Sequence, residues 1–226
     1  MWFATSPTTA RAAAGNPFLF QTDPSPSGFL LTTAQPYSQE GLSTTHLVVS
    51  DRMGNVVSYT MTIESTGGSG MVVPGYGFLL NNELTDFDAI APHPNSPEPF
   101  KRPRSSMAPT LAIAPDGRVL AFGSPGGSTI ITTVLGLMVN IIDLDRPMAE
   151  AIAFPRISQR NSGSTTVDSA LEQQPLGIAL SNLGHHLVGR SEIGAATGLV
   201  TYPDGQVAAA AEPIRRGGGF AGVVTT

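Results

Sequence analysis

The sequence predicts an α+β fold in which helices pack on an antiparallel β-sheet. Three β-rich segments are each folded back by a short polar turn, and one long apolar run has helical rather than alternating periodicity. Strands joined by short turns pair antiparallel, and a largely apolar helix needs a sheet to cover it. Hairpins packed around one central buried helix are therefore expected.

The hairpins are predicted from their turns. THLVVSD and VVSYTMTI flank the turn RMGN at residues 52–55, and TLAIA and RVLAFG flank Pro115-Asp116-Gly117. A second Pro-Asp-Gly turn, at residues 203–205, lies within TGLVTYPDGQVAAAA. Clusters of this composition indicate tight chain reversal. Between the first two hairpins, MVVPGYGFLLNNE is expected to be partly extended, and a proline-rich loop should then run to about residue 106.

The helices are predicted from apolar spacing and from proline. SPGGSTIITTVLGLMVNIIDL predicts a mostly buried helix that opens at its glycine pair. Its apolar positions are Ile130, Ile131, Val134, Leu135, Leu137, Met138 and Ile141. RPMAEAIAFPR predicts a short helix with Pro147 near its first turn, where proline is tolerated. Residues 174–183 predict another helix, and residues 215–226 a glycine-rich tail.

Composition bounds the classes of function. Of the 226 residues, 41% are hydrophobic and 13% charged, and 25 glycines with 19 prolines indicate many turns and short elements. The net charge of −5, with one small basic cluster at residues 101–104, argues against a nucleic-acid partner. The chain has no cysteine, which excludes disulfides and thiolate metal sites. No apolar stretch reaches the roughly 20 residues of a membrane-spanning helix.

Residues 1–43 differ in character from residues 44–226. They are rich in proline, serine, threonine and glycine without sustained periodicity, and they lack the charged and apolar regions of a signal peptide. We interpret them as a linker or irregular surface segment. The chain is therefore expected to begin partway through something larger.

Thr44-Thr45-His46 opens the first predicted strand and has two interpretations. Threonine is β-branched and suits the start of a strand. A threonine hydroxyl is also a nucleophile when an amine lies beside it. The local sequence is compatible with both.

Two loops contain groups that bind anions. GSPGGS, residues 123–128, joins a strand to a helix, so its unpaired N–H groups suit a phosphate, an oxyanion hole or simply a tight turn. The phosphate is disfavoured because the GxxxxGK[ST] pattern is absent. In KRPRSSM, Ser105 and Ser106 are either solvated or hold a carboxylate through hydrogen bonds.

Glu83 and Asp86 lie three residues apart and would share a face of one helical turn. Such a pair is a solvated acidic turn, a general acid and base, a metal site or a socket for a substrate ammonium group. Metal is disfavoured because the nearest histidine, His93, lies in the proline-rich loop. Neither His93 nor His46 is assigned a role, and the histidines at 185 and 186 are interpreted as surface residues.

The order of these motifs is more specific than any one of them. TTHLVVSD, GNVVSYTMT, GFLLNNELTDF, KRPRSSMAPT and GSPGGSTIITTVL succeed one another in a way that resembles the small subunit of the γ-glutamyltranspeptidase family. The resemblance extends from Thr44 nearly to the end, where GLVTYPDG…RRGGGFAG is also similar. It implies an N-terminal nucleophile hydrolase fold, an αββα sandwich of two sheets between helical layers. Residues 44–226 would form the small-subunit domain, and residues 1–43 the end of the large-subunit region.

The resemblance also implies a mechanism. Family members are precursors that cut themselves before the first threonine of TTH, here the Ser43–Thr44 bond. The freed α-amino group, with an ordinary pKa of about 7.7–8.0, would be the base for the Thr44 hydroxyl. Thr62 matches a threonine that hydrogen-bonds the nucleophile, and Gly126 and Gly127 match the oxyanion-hole pair. No cofactor is implied.

The implied substrate is a γ-glutamyl amide such as glutathione, whose acyl group passes through Thr44 to water or to an amine acceptor. Ser105 and Ser106 match serines that hold its α-carboxylate. Its α-amino group would be held by Glu83 and Asp86, assisted by Glu64 where the family often has asparagine or a similar polar residue.

The chain departs from the family pattern around this substrate. Thr85 stands where a second aspartate is common, Glu64 adds a negative charge, and Arg104 replaces an apolar residue. Residues 65–70 contain no aromatic side chain, where the family often carries one. Cephalosporin-type acylases share the architecture and attack other acyl groups. Such an acylase, and an inactive or truncated fragment of the family, are therefore the alternatives.

A large subunit precedes TTH in the family and donates an arginine for the substrate carboxylate. Only 43 residues precede TTH here, so the chain is expected to be a fragment or truncated product that needs a large-subunit segment or separate chain. Alone it should expose apolar sheet faces that the large subunit would cover. The resemblance suggests an extracellular, periplasmic or membrane-attached location.

Overall fold

The structure, a computed structural model, describes residues 43–224. The predicted linker at residues 1–42 and the last two residues of the predicted tail lie outside that range. None of the helices between residues 43 and 224 is long and apolar enough to cross a membrane.

The strands and helices are short. The strands are β1 Thr44–Ser50, β2 Val56–Thr62, β3 Thr110–Ile113, β4 Val119–Gly123, β5 Ile157–Ser158, β6 Thr165–Asp168, β7 Leu187–Arg190, β8 Thr197–Thr201 and β9 Val207–Ala211. The α-helices are α1 Ile130–Met138, α2 Met148–Ala153, α3 Ser169–Glu172 and α4 Pro175–Asn182.

All three predicted hairpins are present. β1 pairs with β2, β3 with β4, and β8 with β9, each antiparallel. β4 and β8 join two of the hairpins into a four-stranded antiparallel sheet of order β3-β4-β8-β9, while β1 and β2 form a sheet of their own. The antiparallel sheet predicted from the turns is thus confirmed for these strands.

The two sheets pack face to face because the hairpin β1–β2 lies directly on β4 and β8. The Ser58 hydroxyl donates to the Phe122 carbonyl at 3.1 Å, and the His46 ring lies over Gly123. A β-carbon built at Gly123 would lie 2.4 Å from the His46 ring, so only glycine allows this approach. The opposite face of the four-stranded sheet is covered by α1 and α2.

The apolar core fills the space between that sheet and the two helices. Burial of side chains such as these contributes about 1.5–3 kcal/mol each. The core residues are Leu120, Phe122, Ile130, Val134, Leu137, Ile141, Met148, Ala151, Ile152, Ala196, Val200 and Ala210.

Helix α1 begins as predicted, from a 3₁₀ turn at Gly127–Thr129, and ends in a π-helical turn at Val139–Asp143. The prediction that this helix is mostly buried holds for Ile130, Val134, Leu137 and Ile141, but not for its outer face. Ile131, Leu135 and Ile142 are 55%, 57% and 53% exposed. The reason is that only one helical face contacts the sheet, although the sequence is apolar on more than one side.

The other predicted helices are confirmed. Helix α2 follows Pro147 directly, and α4 lies within the predicted range 174–183. The segment MVVPGYGFLLNNE contains a single β-bridge, between Val72 and Leu79.

A third sheet, β5-β6-β7, was not predicted, and its pair β6–β7 is parallel. Parallel strands need a crossover connection, which α3 and α4 supply. β5 has only 2 residues and β6 and β7 have 4 each, too few for alternation to be recognised in the sequence. The predicted antiparallel sheet is therefore accompanied by a smaller mixed sheet.

The outer face of the β1–β2 hairpin is apolar and open to solvent. Leu47 lies opposite Tyr59 and Val49 opposite Val57, with exposures of 38%, 50%, 55% and 51%. Met61, on the same face, is 41% exposed. The expectation of an exposed apolar sheet face is confirmed here.

The segment predicted to be a simple tail is anchored by a buried ion-pair cluster. Glu212, 2% exposed, accepts from Arg156 at 2.6 Å and from Arg215 at 2.9 Å. Arg215 also donates to Asp168 at 2.5 Å. The cluster joins β6, β9 and the chain after α2, so the tail begins as part of the core.

Removing the central carboxylate of this cluster should be costly. In Glu212→Gln the guanidinium groups of Arg156 and Arg215 stay buried with one negative charge fewer, and we expect a loss of about 3–5 kcal/mol in the free energy of unfolding. Urea unfolding measures it. The matched control is Glu98→Gln, which breaks the more exposed pair with Lys101 and should cost about 1 kcal/mol or less. Equal losses in both variants would contradict the prediction.

His46 is buried between the two sheets. Its ring shares a hydrogen bond of 2.8 Å, through Nδ1, with the Thr60 hydroxyl, and a weaker contact of 3.4 Å, through Nε2, with Ser58. Burial lowers the pKa of His46 from 6.5 to about 4. The ring is therefore neutral near pH 7, which suits its place against the β4 backbone.

This lowered pKa makes stability depend on pH. Between pH 6.5 and about pH 4 the unfolded chain protonates this histidine and the folded chain does not. The free energy of unfolding should therefore fall as the pH falls, by at most about 1.4 kcal/mol per pH unit from this group. Urea unfolding from about pH 7 to about pH 5 should show a flatter profile for His46→Gln. The exposed control His186→Gln should keep the slope, and an unchanged slope in His46→Gln would count against the assignment.

Candidate active site

Two threonine hydroxyls meet at the open end of the first hairpin. Thr44 is the first residue of β1 and Thr62 the last of β2, and the strand register places them opposite each other. The Thr44 hydroxyl donates to the Thr62 hydroxyl at 3.0 Å. Thr62 Oγ1 also accepts the Glu64 N–H at 2.8 Å. Both threonines are thus held by backbone pairing and by each other.

The glycine loop lies at the same end of the sandwich. Ser58 on β2 contacts the Phe122 carbonyl of β4, and His46 on β1 lies over the next residue of β4, Gly123. Thr44 lies two residues before His46 on β1, about 7 Å away. This step runs towards the point where β4 leaves the sheet for the loop 123–128. The structure therefore directs the predicted nucleophile towards the predicted oxyanion loop.

Gly126 and Gly127 adopt backbone angles that require glycine. Their φ values are +144° and +53°, both in the region that side chains disfavour. A β-carbon at Gly126 would also lie 2.8 Å from the Thr129 hydroxyl. The two residues form the entry to the 3₁₀ turn before α1, where N–H groups have no helical acceptor.

The predicted acidic pair shares one face. Residues Glu83–Asp86 form a 3₁₀ turn, in which side chains three apart are eclipsed. Burial raises the pKa of Glu83, and the nearby carboxylates of Asp86 and Glu64 raise it further. The turn therefore concentrates negative charge that a cation would relieve.

Glu64 is joined to this turn by Asn82, a residue that sequence reasoning missed. The Asn82 amide donates to the Glu64 carboxylate at 2.6 Å and accepts the Ser65 N–H at 3.0 Å. The Ser65 hydroxyl donates to the same carboxylate. Glu64 itself has φ of +70°, a strained angle for glutamate. The only sequence signal was the position of Asn82 directly before the acidic turn.

The segment before the serine pair is held by Asn95, and we call Asn95 with its hydrogen-bond partners the Asn95 hub. The Asn95 amide donates to the Asp86 carbonyl at 2.6 Å and to Asp88 at 2.9 Å, and its oxygen accepts the Arg104 N–H at 2.9 Å. The hub therefore ties the acidic turn to the start of the serine segment. Ser105 and Ser106 come next, the first exposed and the second half-buried.

Arg104 contacts Asp88 at 2.8 Å. This ion pair joins the start of the serine segment to the loop that follows the acidic turn. His93 also contacts Asp88, at 3.2 Å, and takes part in the same loop rather than in the hydroxyl pair. Across residues 43–224, no group of three or more histidine, aspartate or glutamate side chains is placed to hold a metal ion.

The fold is shared with solved proteins. The γ-glutamyltranspeptidase of Pseudomonas nitroreducens, solved as a complex with L-DON, matches with a TM-score of 0.70 at 30% identity, over 80% of this chain and all of that one. The fold is therefore that of the N-terminal nucleophile hydrolases, as the motif order implied.

Sequence comparison gives the family. The sequence model described as gamma-glutamyltranspeptidase matches residues 8–222, and the chain belongs to that family. It is 42% identical over 172 residues to the glutathione hydrolase proenzyme of Bacillus subtilis (strain 168), covering 76% of this chain and 29% of that protein. It is 35% identical over 193 residues to the acylase ACY 1 proenzyme of Pseudomonas sp. (strain SE83), covering 80% of this chain and 34% of that protein. The chain thus spans about a third of the length of these relatives.

Proposed function

We propose that this chain is the nucleophile-bearing part of a γ-glutamyl hydrolase and transferase that acts on glutathione-like γ-glutamyl amides. The observation that carries the proposal is the 3.0 Å hydrogen bond from Thr44 to Thr62 at the end of the hairpin. Thr62 is in turn bonded to Glu64, which leads through Asn82 to the acidic turn. The proposed nucleophile and the proposed cation-binding site are therefore connected by hydrogen bonds.

Cleavage of the Ser43–Thr44 bond would give the nucleophile its base. A threonine hydroxyl is weak near neutral pH, whereas a free α-amino group is partly neutral there and lies beside its own hydroxyl. The Thr44 oxygen would attack the γ-carbonyl carbon and pass its proton to the amine. The amine would return that proton to the departing nitrogen, leaving an ester on Thr44. Water or an amine acceptor would then release the acyl group.

The oxyanion of this reaction would be bound by the N–H groups of Gly126 and Gly127. Both residues lie at the start of a helix, whose dipole favours negative charge.

The ends of a γ-glutamyl group fit the charges around the hydroxyl pair. Its α-ammonium would be bound by Glu83 and Asp86, with Glu64 beside them. Its α-carboxylate would be bound by the hydroxyls of Ser105 and Ser106. The raised pKa of Glu83 supports this assignment, because crowded carboxylates gain from a neighbouring cation.

The proposal includes a large-subunit segment or chain as partner. The outer face of β1–β2 exposes five apolar side chains that this partner would cover in the assembled protein. The chain also spans only 29% of its Bacillus subtilis relative.

A related acylase is the second candidate. The relative from Pseudomonas sp. (strain SE83) is an acylase, and the Glu64 carboxylate is already occupied by Asn82 and Ser65. A socket altered in this way suits a different acyl group. A panel that sets γ-glutamyl anilide against other acyl anilides separates the two candidates.

Substitution of Thr44 tests the nucleophile. In the protein co-produced with a large-subunit chain, Thr44→Ala should leave the Ser43–Thr44 bond intact and reduce γ-glutamyl anilide hydrolysis by on the order of 10³-fold or more. Mass spectrometry reads the cleavage and absorbance the turnover. The control Ser181→Ala, which removes an exposed hydroxyl on α4, should change neither. Full turnover with Thr44 still joined to Ser43 would refute the mechanism.

The acidic turn is tested by pH. Glu83→Gln should raise KM about 10- to 100-fold while kcat changes little, because a charged hydrogen bond to the substrate is lost. KM should rise on the acid side as Glu83 becomes protonated. Because the pKa of Glu83 is raised, this rise should occur at a higher pH than for an ordinary glutamate. Asp86→Asn removes one repelling charge, so that rise should move to lower pH. The exposed control Asp116→Asn should leave it in place, and a rise that does not move in Asp86→Asn would exclude this role.

A further inference from the structure

The peptide group between Pro125 and Gly126 is held in its orientation by a buried serine side chain. The Ser124 hydroxyl, fully buried, donates to the Pro125 carbonyl at 2.6 Å. The Ser124 hydroxyl oxygen also accepts the Ala195 N–H at 3.0 Å. The orientation of this peptide plane is therefore fixed by a side chain that solvent does not reach.

The next peptide bond, between Gly126 and Gly127, is pinned in the same way. The Gly126 carbonyl accepts the Thr129 hydroxyl at 2.8 Å and the Thr129 N–H at 3.0 Å. Thr129 is also fully buried. Two consecutive carbonyls of the glycine loop are thus each held by a hydroxyl.

Fixing a carbonyl fixes the N–H of the same peptide plane. In a trans peptide the C=O and N–H bonds point in opposite directions. The Gly126 N–H must therefore point away from Ser124, and the Gly127 N–H away from Thr129. Within residues 43–224, neither N–H donates a hydrogen bond to another group. A hydrogen bond to the carbonyl also polarises its amide and strengthens the N–H as a donor.

Close packing restricts the movement of the glycine loop and of the Ser124 side chain. A β-carbon at Gly126 would lie 3.2 Å from the Gly194 α-carbon, and one at Gly194 would lie 2.6 Å from the Ser124 hydroxyl. Ile193 precedes Gly194, and its carbonyl accepts a hydrogen bond from the Arg156 guanidinium at 2.5 Å. The loop is therefore backed by a segment that is itself anchored in the buried ion-pair cluster.

We propose that Ser124 and Thr129 are positioning residues, whose buried hydroxyls set the two peptide planes so that the Gly126 and Gly127 N–H groups converge on the reacting oxygen. The inference rests on the function proposed above. It assigns the preorganisation of the oxyanion site to side chains that never touch the substrate. Since the donors act on charge that develops only in the transition state, their misalignment lowers kcat rather than substrate binding.

The test uses variants that differ only in this support. In the assembled, processed protein, Ser124→Ala and Thr129→Val should each lower kcat for γ-glutamyl anilide about 10- to 100-fold, with KM within about 2-fold of the parent. Thr129→Ser keeps the hydroxyl and should retain most of the rate. Thr133→Val is the control, because Thr133 lies one helical turn further on, is buried, and has no hydrogen-bond partner in the described part of the chain.

The outcomes separate this inference from the proposed function. Thr129→Val has nearly the same shape as threonine and keeps the N–H bond to Gly126, so it should fold even where Ser124→Ala does not. If the parent enzyme is active and Thr129→Val has the parent kcat, the inference is overturned. If the parent is inactive on every amide in the panel, the proposed function fails. Crystal structures of the parent and Thr129→Val then decide the inference, since an unmoved Gly126–Gly127 peptide plane refutes it.

Discussion

The register between β1 and β2 is the constraint on which the candidate site depends. It places the first residue of one strand opposite the last residue of the other, so that Thr44 and Thr62 face each other with their hydroxyls 3.0 Å apart. Successive residues of a strand point to opposite faces, and a slip of one residue would turn Thr44 to the outer face and Thr45 to the inner. The Asp51 carboxylate, which accepts the Met53 and Asn55 N–H groups in the turn, fixes this register at the other end of the hairpin.

The acidic turn is attached to this hairpin by hydrogen bonds rather than by apolar packing. Thr62 holds the Glu64 N–H, Glu64 holds Asn82, and Asn82 precedes the acidic turn. The long loop that carries the serines has no sheet partner of its own and is shaped by the Asn95 hub. Polar networks of this kind are specific because each buried group must find its partner, and they are correspondingly sensitive to single substitutions.

The parts of the fold and of the candidate site that local spacing determines were predictable from the sequence. The parts that depend on how the chain folds back on itself were not. The hairpins follow from local spacing, and the sequence predicted them with their turns. The role of Asn82 depends on Glu64, 18 residues away. The Ser124 and Thr129 hydroxyls donate to carbonyls close in sequence, but their roles depend on burial by the folded chain, which residue type and spacing do not specify. Arg215 looked like part of a flexible tail because its partners, Glu212 and Asp168, include one 47 residues away. The parallel pair β6–β7 was missed because strands of 4 residues leave too little alternation to detect.

The seating of the His46 ring on Gly123 has a consequence for divergence within the family. The gap between the two sheets at this point is occupied by one imidazole and by no side chain from β4. The sizes of residues 46 and 123 are therefore mutually limiting, and the pair should co-vary in homologous sequences: a larger residue at 123 should accompany a smaller one at 46. A lineage that enlarged one without shrinking the other would widen the inter-sheet gap and carry the first residue of β1 away from the glycine loop.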